Sequence, residues 1–229
     1  MLKFFHSPGA CSDGILVLLE EIGAAYEVEI IDLVKGMQRE PNFLEKNPKG
    51  KVPSIIRPDG SCLTEYQAIS YWLVQEFNQS GIWPDTLEKQ CRTLEVLDFI
   101  VSSVHMRGFT FVRVPKKFEL NEQGTLELQQ YGRSEAGKGL LHLSEVLGDQ
   151  DYLLGDFGVA DTAAFYVLQW AEMAEIPYRT VIEMQLYLMV SSLPDTAYAV
   201  CTCARFMECP GKGHWNAVCT VLKIYERNY

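Results

Sequence analysis

The stretch from Lys3 to Gly23 constrains this chain more than any other. Lys3-Phe4-Phe5-His6 is a short apolar run, Ser7-Pro8-Gly9-Ala10 breaks it, and Gly14-Ile15-Leu16-Val17-Leu18-Leu19 begins an apolar helical run that ends at Gly23. The order reads as strand, tight loop and helix. It sets one cysteine, Cys11, at the helix N-terminus, where unpaired N–H groups and the positive end of the helix dipole favour a thiolate. A small buried hydrophobe is the plainer reading of a free cysteine. The Pro8-Gly9 break, which turns backbone N–H groups toward one spot, argues for the reactive one. Cys11-Ser12-Asp13-Gly14 is not a C-x-x-C, so redox chemistry there is monothiol.

Further along, Tyr26 to Ile31 alternates polar and apolar residues and reads as a second strand at the spacing of a βαβ unit. Residues 32–48 break into charged and loop-forming types, with one short helical turn around Asn42 to Glu45. Asn47-Pro48-Lys49-Gly50-Lys51-Val52-Pro53 then feeds a strand that starts at Pro53. A proline there is either an ordinary edge residue or a cis peptide. In the second case the Val52 backbone is free to pair with an extended, peptide-like ligand. Asp59-Gly60 marks a hairpin, and Glu65-Tyr66-Gln67 opens a helix whose free N–H groups suit a carboxylate, a weak signal alone.

Residues 79–86, with Ser80-Gly81 and Trp83-Pro84, read as a linker that divides the chain into 1–78 and an all-helical 87–229. Leu94, Leu97, Val101 and Val104 form an apolar stripe, and Asp98, Ser102 and His105 a polar one beside it. A solvated helix face is the plain reading of the second stripe. The functional one turns it toward Cys11, with His105 stabilising a thiolate or moving a proton. After a break at Arg113-Val114-Pro115, helices are expected over Leu126 to Leu147 and from Gly158, the latter with Tyr166, Val167 and Trp170 inward and Asp161 as half of a capping box. Two more are expected over residues 179–190 and 195–207. Cys201, Cys203, Cys209, His214 and Cys219 match no structural zinc spacing, so no metal is expected.

Composition narrows the function classes. With 229 residues, 48% of them apolar, a sizeable core is available. A net charge of −10 with scattered basic residues argues against a phosphate-binding footprint, and hence against nucleic acid. No apolar run approaches the ~20 residues of a membrane span, and no secretory leader is expected. Seven cysteines, an odd number without framework spacing, suit reduced thiols in the cytoplasm.

Taken together, Ser7-Pro8-Gly9-Ala10-Cys11-Ser12, Asn47 to Pro53, Leu63-Thr64-Glu65-Tyr66-Gln67-Ala68-Ile69, His105 near Gly108-Phe109-Thr110, and Val159-Ala160-Asp161 run in an order that resembles the glutathione transferases, and among them the bacterial beta class. The likeness covers residues 1 to about 170. It implies an α/β thioredoxin-like N-terminal domain, an all-α C-terminal domain and a homodimer. It further implies that Cys11 and His105, with His6 nearby, act on the sulfur of glutathione, a co-substrate. Lys35, the Val52 backbone before Pro53, Glu65, the Tyr66 amide and Asp98 would hold the tripeptide, Asp98 from the partner subunit. The implied activity is conjugation to a small electrophile or thiol-disulfide exchange. A non-catalytic or regulatory binding protein on the same fold is the alternative. Three positions depart from the resemblance: His6 in place of tyrosine, Tyr66 in place of a small residue, which would narrow the room for glutathione, and Met106 in place of lysine.

Overall fold

The computed structural model describes residues 1–176. Its first part is a four-stranded sheet of β1 (Leu2–His6), β2 (Tyr26–Ile30), β3 (Ser54–Ile56) and β4 (Cys62–Thr64), in the spatial order β2-β1-β3-β4. β1 runs parallel to β2 and antiparallel to β3, and β3 is antiparallel to β4. The parallel pair needs a crossover, which is α1 (Ser12–Glu21). The antiparallel pair closes at Asp59-Gly60, where Gly60 takes φ +85 and Asp59 accepts from the Ser61 N–H. α2 (Pro41–Leu44) is the short turn of the 32–48 loop, and α3 (Tyr66–Glu76) follows β4 directly.

Alternation along β1 sorts its side chains between two cores. Leu2 and Phe4 join the main core, whereas Phe5 faces the other way onto Ile31 and Phe43. His6 has the parity of Leu2 and Phe4, stacks on Phe4 and has no exposed surface. On α1, Ile15, Leu16, Val17, Leu18 and Leu19 are all buried, because the helix is covered by the sheet and α3 on one side and by α7 (Val159–Met173) on the other. Each such side chain contributes roughly 1.5–3 kcal/mol. A helix buried all round is therefore the mechanical centre of the molecule.

From residue 87 the described chain is helical: α4 (Leu87–Phe99), a ten-residue π-helical stretch (Ile100–Phe109), α5 (Thr110–Arg113), α6 (Glu122–Leu147) and α7. Thr86 caps α4 and Asn121 caps α6, which starts one turn before the expected Leu126. The expected apolar stripe holds at Leu97 and Val104 and fails at Leu94. On α4 itself Val96 and Leu97 are buried and Leu94 is exposed, while along the π stretch, with its wider turn, Ile100 and Val104 are buried and Val101 only in part. The helices expected over 179–190 and 195–207, and the late cysteines, lie outside the described residues. Among the described residues no helix is long and apolar enough to cross a membrane.

Candidate active site

The loop between β1 and α1 carries the sulfur. Gly9 takes φ +74, which a non-glycine residue adopts with strain, and its N–H donates to both Asp13 carboxylate oxygens at 3.2 and 3.1 Å. Cys11 occupies the N-cap position of α1, and its thiol donates to the Val52 carbonyl at 3.7 Å. The Val52–Pro53 peptide is cis. Cys11 and Val52 are thus side by side, from two loops distant in the sequence.

The expected bias of Cys11 toward thiolate is not what its surroundings produce. Burial pushes the thiol up to about 12, the adjacent Asp13 carboxylate adds to the rise, and backbone N–H groups at the helix start together with Arg113 offset only part of it. The helix terminus does favour the anion, but here it is outweighed by desolvation and a like charge. A carbonyl acceptor opposite the sulfur acts in the same direction, since it is served only by S–H.

His6 and Asp13 form the floor beneath that sulfur. The His6 Nδ1 lies 2.9 Å from Ser12 Oγ, and Ser12 Oγ also receives the Ser7 N–H and donates to the Ser7 carbonyl. The other ring nitrogen, Nε2, is 3.7 Å from Asp13 Oδ1 and has no hydrogen-bond partner. Burial pushes His6 down to about 3 and Asp13 up to about 8. His6 is therefore a neutral, fully buried ring bonded to Ser12.

The second histidine expected at the site lies on the helical part. His105, on the π stretch, has its Nδ1 3.3 Å from the Tyr166 hydroxyl and its ring edge-on to Trp170 at 4.8 Å between centroids. Burial, reinforced by Arg113, Lys51 and Lys117, holds it down to about 4, so it is a neutral imidazole at pH 7. Asp98 and Ser102 do not share its surroundings. Asp98 accepts from Gln67 on α3 at 3.1 Å, and Ser102 sits beside Ser103 on the exposed side. The polar stripe runs from α4 into the π stretch, whose wider turn does not keep positions i, i+4 and i+7 on one face.

Tyr66 does not narrow the cleft as expected. Its ring turns inward between α1 and α7, 4% exposed, with its hydroxyl 2.9 Å from Thr162 Oγ1. A Cβ on Gly14 would lie 2.3 Å from both that hydroxyl and the Thr162 carbonyl, so glycine is what lets the tyrosine fit. What Tyr66 leaves at the surface is the start of α3. There Glu65 is exposed at φ +73, and its carboxylate meets Lys49 Nζ at 2.6 Å, which also donates to Thr64 Oγ1 at 2.9 Å. Lys35 is exposed in the 32–48 loop and pairs with Asp32 at 3.0 Å.

Three residues of this site escaped the sequence reading. Asp13 was readable in part, as the one acidic residue in the first turn of α1. Arg113 and Lys49 carried no local signal, because each matters through a partner far away in the chain. Arg113 donates to the Gly9 carbonyl at 3.0 Å and lies 4.5 Å from the Trp170 ring centre, while Trp170 Nε1 donates to the same carbonyl at 2.8 Å. Among the described residues no group of histidine, cysteine and carboxylate side chains is arranged to hold a metal.

A thioredoxin-like sheet with a cysteine at the start of its first helix, a proline-led third strand beside it and a mostly helical remainder define the class of fold. The comparisons with known proteins agree. The family model "Glutathione S-transferase, N-terminal domain" matches residues 9–76. Glutathione S-transferase GstA of Escherichia coli O157:H7 is 31% identical over 173 residues, which is 74% of this chain and 82% of that protein. Among solved structures, the bacterial beta class glutathione S-transferase of Sphingomonas chungbukensis has a TM-score of 0.72 at 27% identity, over 88% of this chain and 98% of its own. A sphingomonad glutathione S-transferase complexed with glutathione has a TM-score of 0.71 at 27% identity, with the same coverage. The chain belongs to the glutathione S-transferase family.

Proposed function

We propose that this protein is a glutathione transferase that binds the tripeptide along Cys11, Val52 and the start of α3, and presents its sulfur to a small electrophile. The observation that carries the reading is the Cys11 thiol donating to the Val52 carbonyl, which puts a sulfur ligand and a strand-like backbone side by side. An extended peptide pairs with the Val52 backbone. Its γ-glutamyl carboxylate meets the N–H groups at the start of α3, and its ammonium meets Glu65 in place of Lys49.

In this mechanism Cys11 stays protonated. Its S–H turns from Val52 to the glutathione sulfur and stabilises the thiolate there by hydrogen bonding, lowering the pKa of a thiol that is otherwise near 8.5. With the Tyr166 hydroxyl donating to His105 Nδ1, the ring proton sits on Nε2, a second neutral donor for the same sulfur. The glutathione thiol releases its proton to solvent, the thiolate attacks the electrophilic carbon, a sulfur–carbon bond forms, and the leaving group departs with the electron pair. His6 acts behind the loop, holding Ser12. Lys35 and Asp98 are assigned the outer ends of the tripeptide, Asp98 across a homodimer interface, in a cytoplasmic enzyme with reduced thiols.

The test is conjugation of glutathione to 1-chloro-2,4-dinitrobenzene, with retention on immobilised glutathione and intact mass after incubation with oxidised glutathione. Turnover with retention supports the reading. Retention without turnover favours a regulatory binding protein, for which the high thiol pKa at Cys11 speaks. A glutathione adduct that disappears in Cys11→Ala favours disulfide exchange, and neither retention nor turnover overturns the enzyme reading.

A further inference from the structure

The Gly9 carbonyl is held from the helical part of the molecule by two donors, Arg113 at 3.0 Å and Trp170 at 2.8 Å, while the Gly9 N–H is held from its own domain by Asp13. One residue two positions before Cys11, with its two flanking peptide groups, is therefore gripped by both halves of the chain. The grip fixes more than the loop. Arg113 is exposed and its guanidinium carbon lies 4.5 Å from the centre of the Trp170 ring, which is edge-on to His105, so a permanent cation stands where it acts on both the Cys11 sulfur and the His105 imidazole.

The charges around these two groups are unequal. Asp13 is the carboxylate nearest the sulfur, and it is buried, bonded to Gly9 and pushed up to about 8, so most of its charge is absent at pH 7. His6 and His105 are neutral there, and the two phenols that approach from α3 and α7, Tyr66 and Tyr166, are buried and pushed up. Lys51, ahead of Val52, and Lys117, in the turn after α5, act on His105 in the same sense as Arg113. Glu65, at the start of α3, is an exposed carboxylate already paired with Lys49, and the full charges that act on Cys11 and His105 from the other elements, Arg113, Lys51 and Lys117, are positive.

We propose that Arg113 is a specificity-determining residue, which gives the Cys11 side of the cleft a preference for electrophiles that carry an anionic group over neutral ones of the same size. The proposal rests on the transferase reading for its biological meaning, and its test does not require glutathione. Iodoacetate and iodoacetamide both alkylate a cysteine thiolate by forming a sulfur–carbon bond and expelling iodide, and they differ chiefly in charge. Their rates at Cys11, followed by mass of the Cys11 peptide in low salt and each divided by the rate with free cysteine, give a ratio from which thiol ionisation and general access cancel. That ratio is expected to fall about three- to tenfold in Arg113→Gln and to stay near the wild-type value in Arg113→Lys. A merely structural tether would change both rates together. An unchanged ratio in Arg113→Gln, in a protein whose circular dichroism and melting match the wild type, overturns the proposal, as does an equal fall in Arg113→Lys. Failure of the conjugation assay with the ratio shift intact would count against the transferase reading alone.

Discussion

The starts of α1 and α3, two helices of the N-terminal sheet domain, have opposite characters. At α1 the first turn is closed: Ser12 and Asp13 are buried, the sulfur is pressed against a carbonyl, and three titratable groups are moved far from their solution behaviour. At α3 the first turn is open: Glu65 is exposed, and its partner Lys49 is held only by surface contacts. Both have the dipole sense of a helix N-terminus. What differs is solvent. A helix terminus in water reads out its dipole, whereas in a closed core desolvation and the nearest charge decide protonation.

The largest expected break in this contrast is Gly14→Ala. Its Cβ would meet two oxygen atoms at 2.3 Å in the packed seam between α1, α3 and α7, and urea unfolding should show a loss of about 3 kcal/mol. An equivalent helix-start change at the open end, Gln67→Ala, has no such seam to disturb.

Asp13→Asn tests the closed end electrostatically. His6 falls from 6.5 to about 3 in the fold and Asp13 rises from 3.8 to about 8, so below pH 6.5 their contributions oppose each other. Between pH 6.5 and 8 only Asp13 still changes: the unfolded chain has released its proton and the fold retains it, so stability must fall as pH rises through that window. The slope approaches about 1.4 kcal/mol per pH unit, near 2 kcal/mol across the window. Melting against pH should show this fall in the wild type and its absence in Asp13→Asn.

At the open end the effects belong to binding. Glu65→Gln removes the charge proposed to meet the ammonium of glutathione, and KM for glutathione should rise about tenfold, with melting and the iodoacetamide rate at Cys11 unchanged. Lys49→Ala, the mildest change, breaks an exposed pair and should alter stability by no more than about 0.5 kcal/mol. A larger loss would mean that the open end is structural after all.

Local periodicity carried much of the architecture. The strand-loop-helix of residues 3–23, the Asp59-Gly60 hairpin and the Gly158 helix start all follow from alternation, turn residues and caps acting over a few positions. The inward direction of His6 agrees with its parity with Leu2 and Phe4, a facing that the sequence reading did not draw. The split of Asp98, Ser102 and His105 was not legible, because a π stretch changes the period on which the stripe was counted. Nor was the inward turn of Tyr66, which depends on the missing Cβ of Gly14, 52 positions away by residue number, and on Thr162 of another helix.

The sequence by itself determined that Cys11 stands at a helix start beside a proline-led strand, since those placements come from short-range backbone preferences. Only the tertiary structure decided what that sulfur is: a protonated thiol facing Val52, with Asp13 beneath it and Arg113 at its rim. Ionisation depends on burial and on charges brought in from the whole chain, and these exist only once the sheet and the helices have packed together.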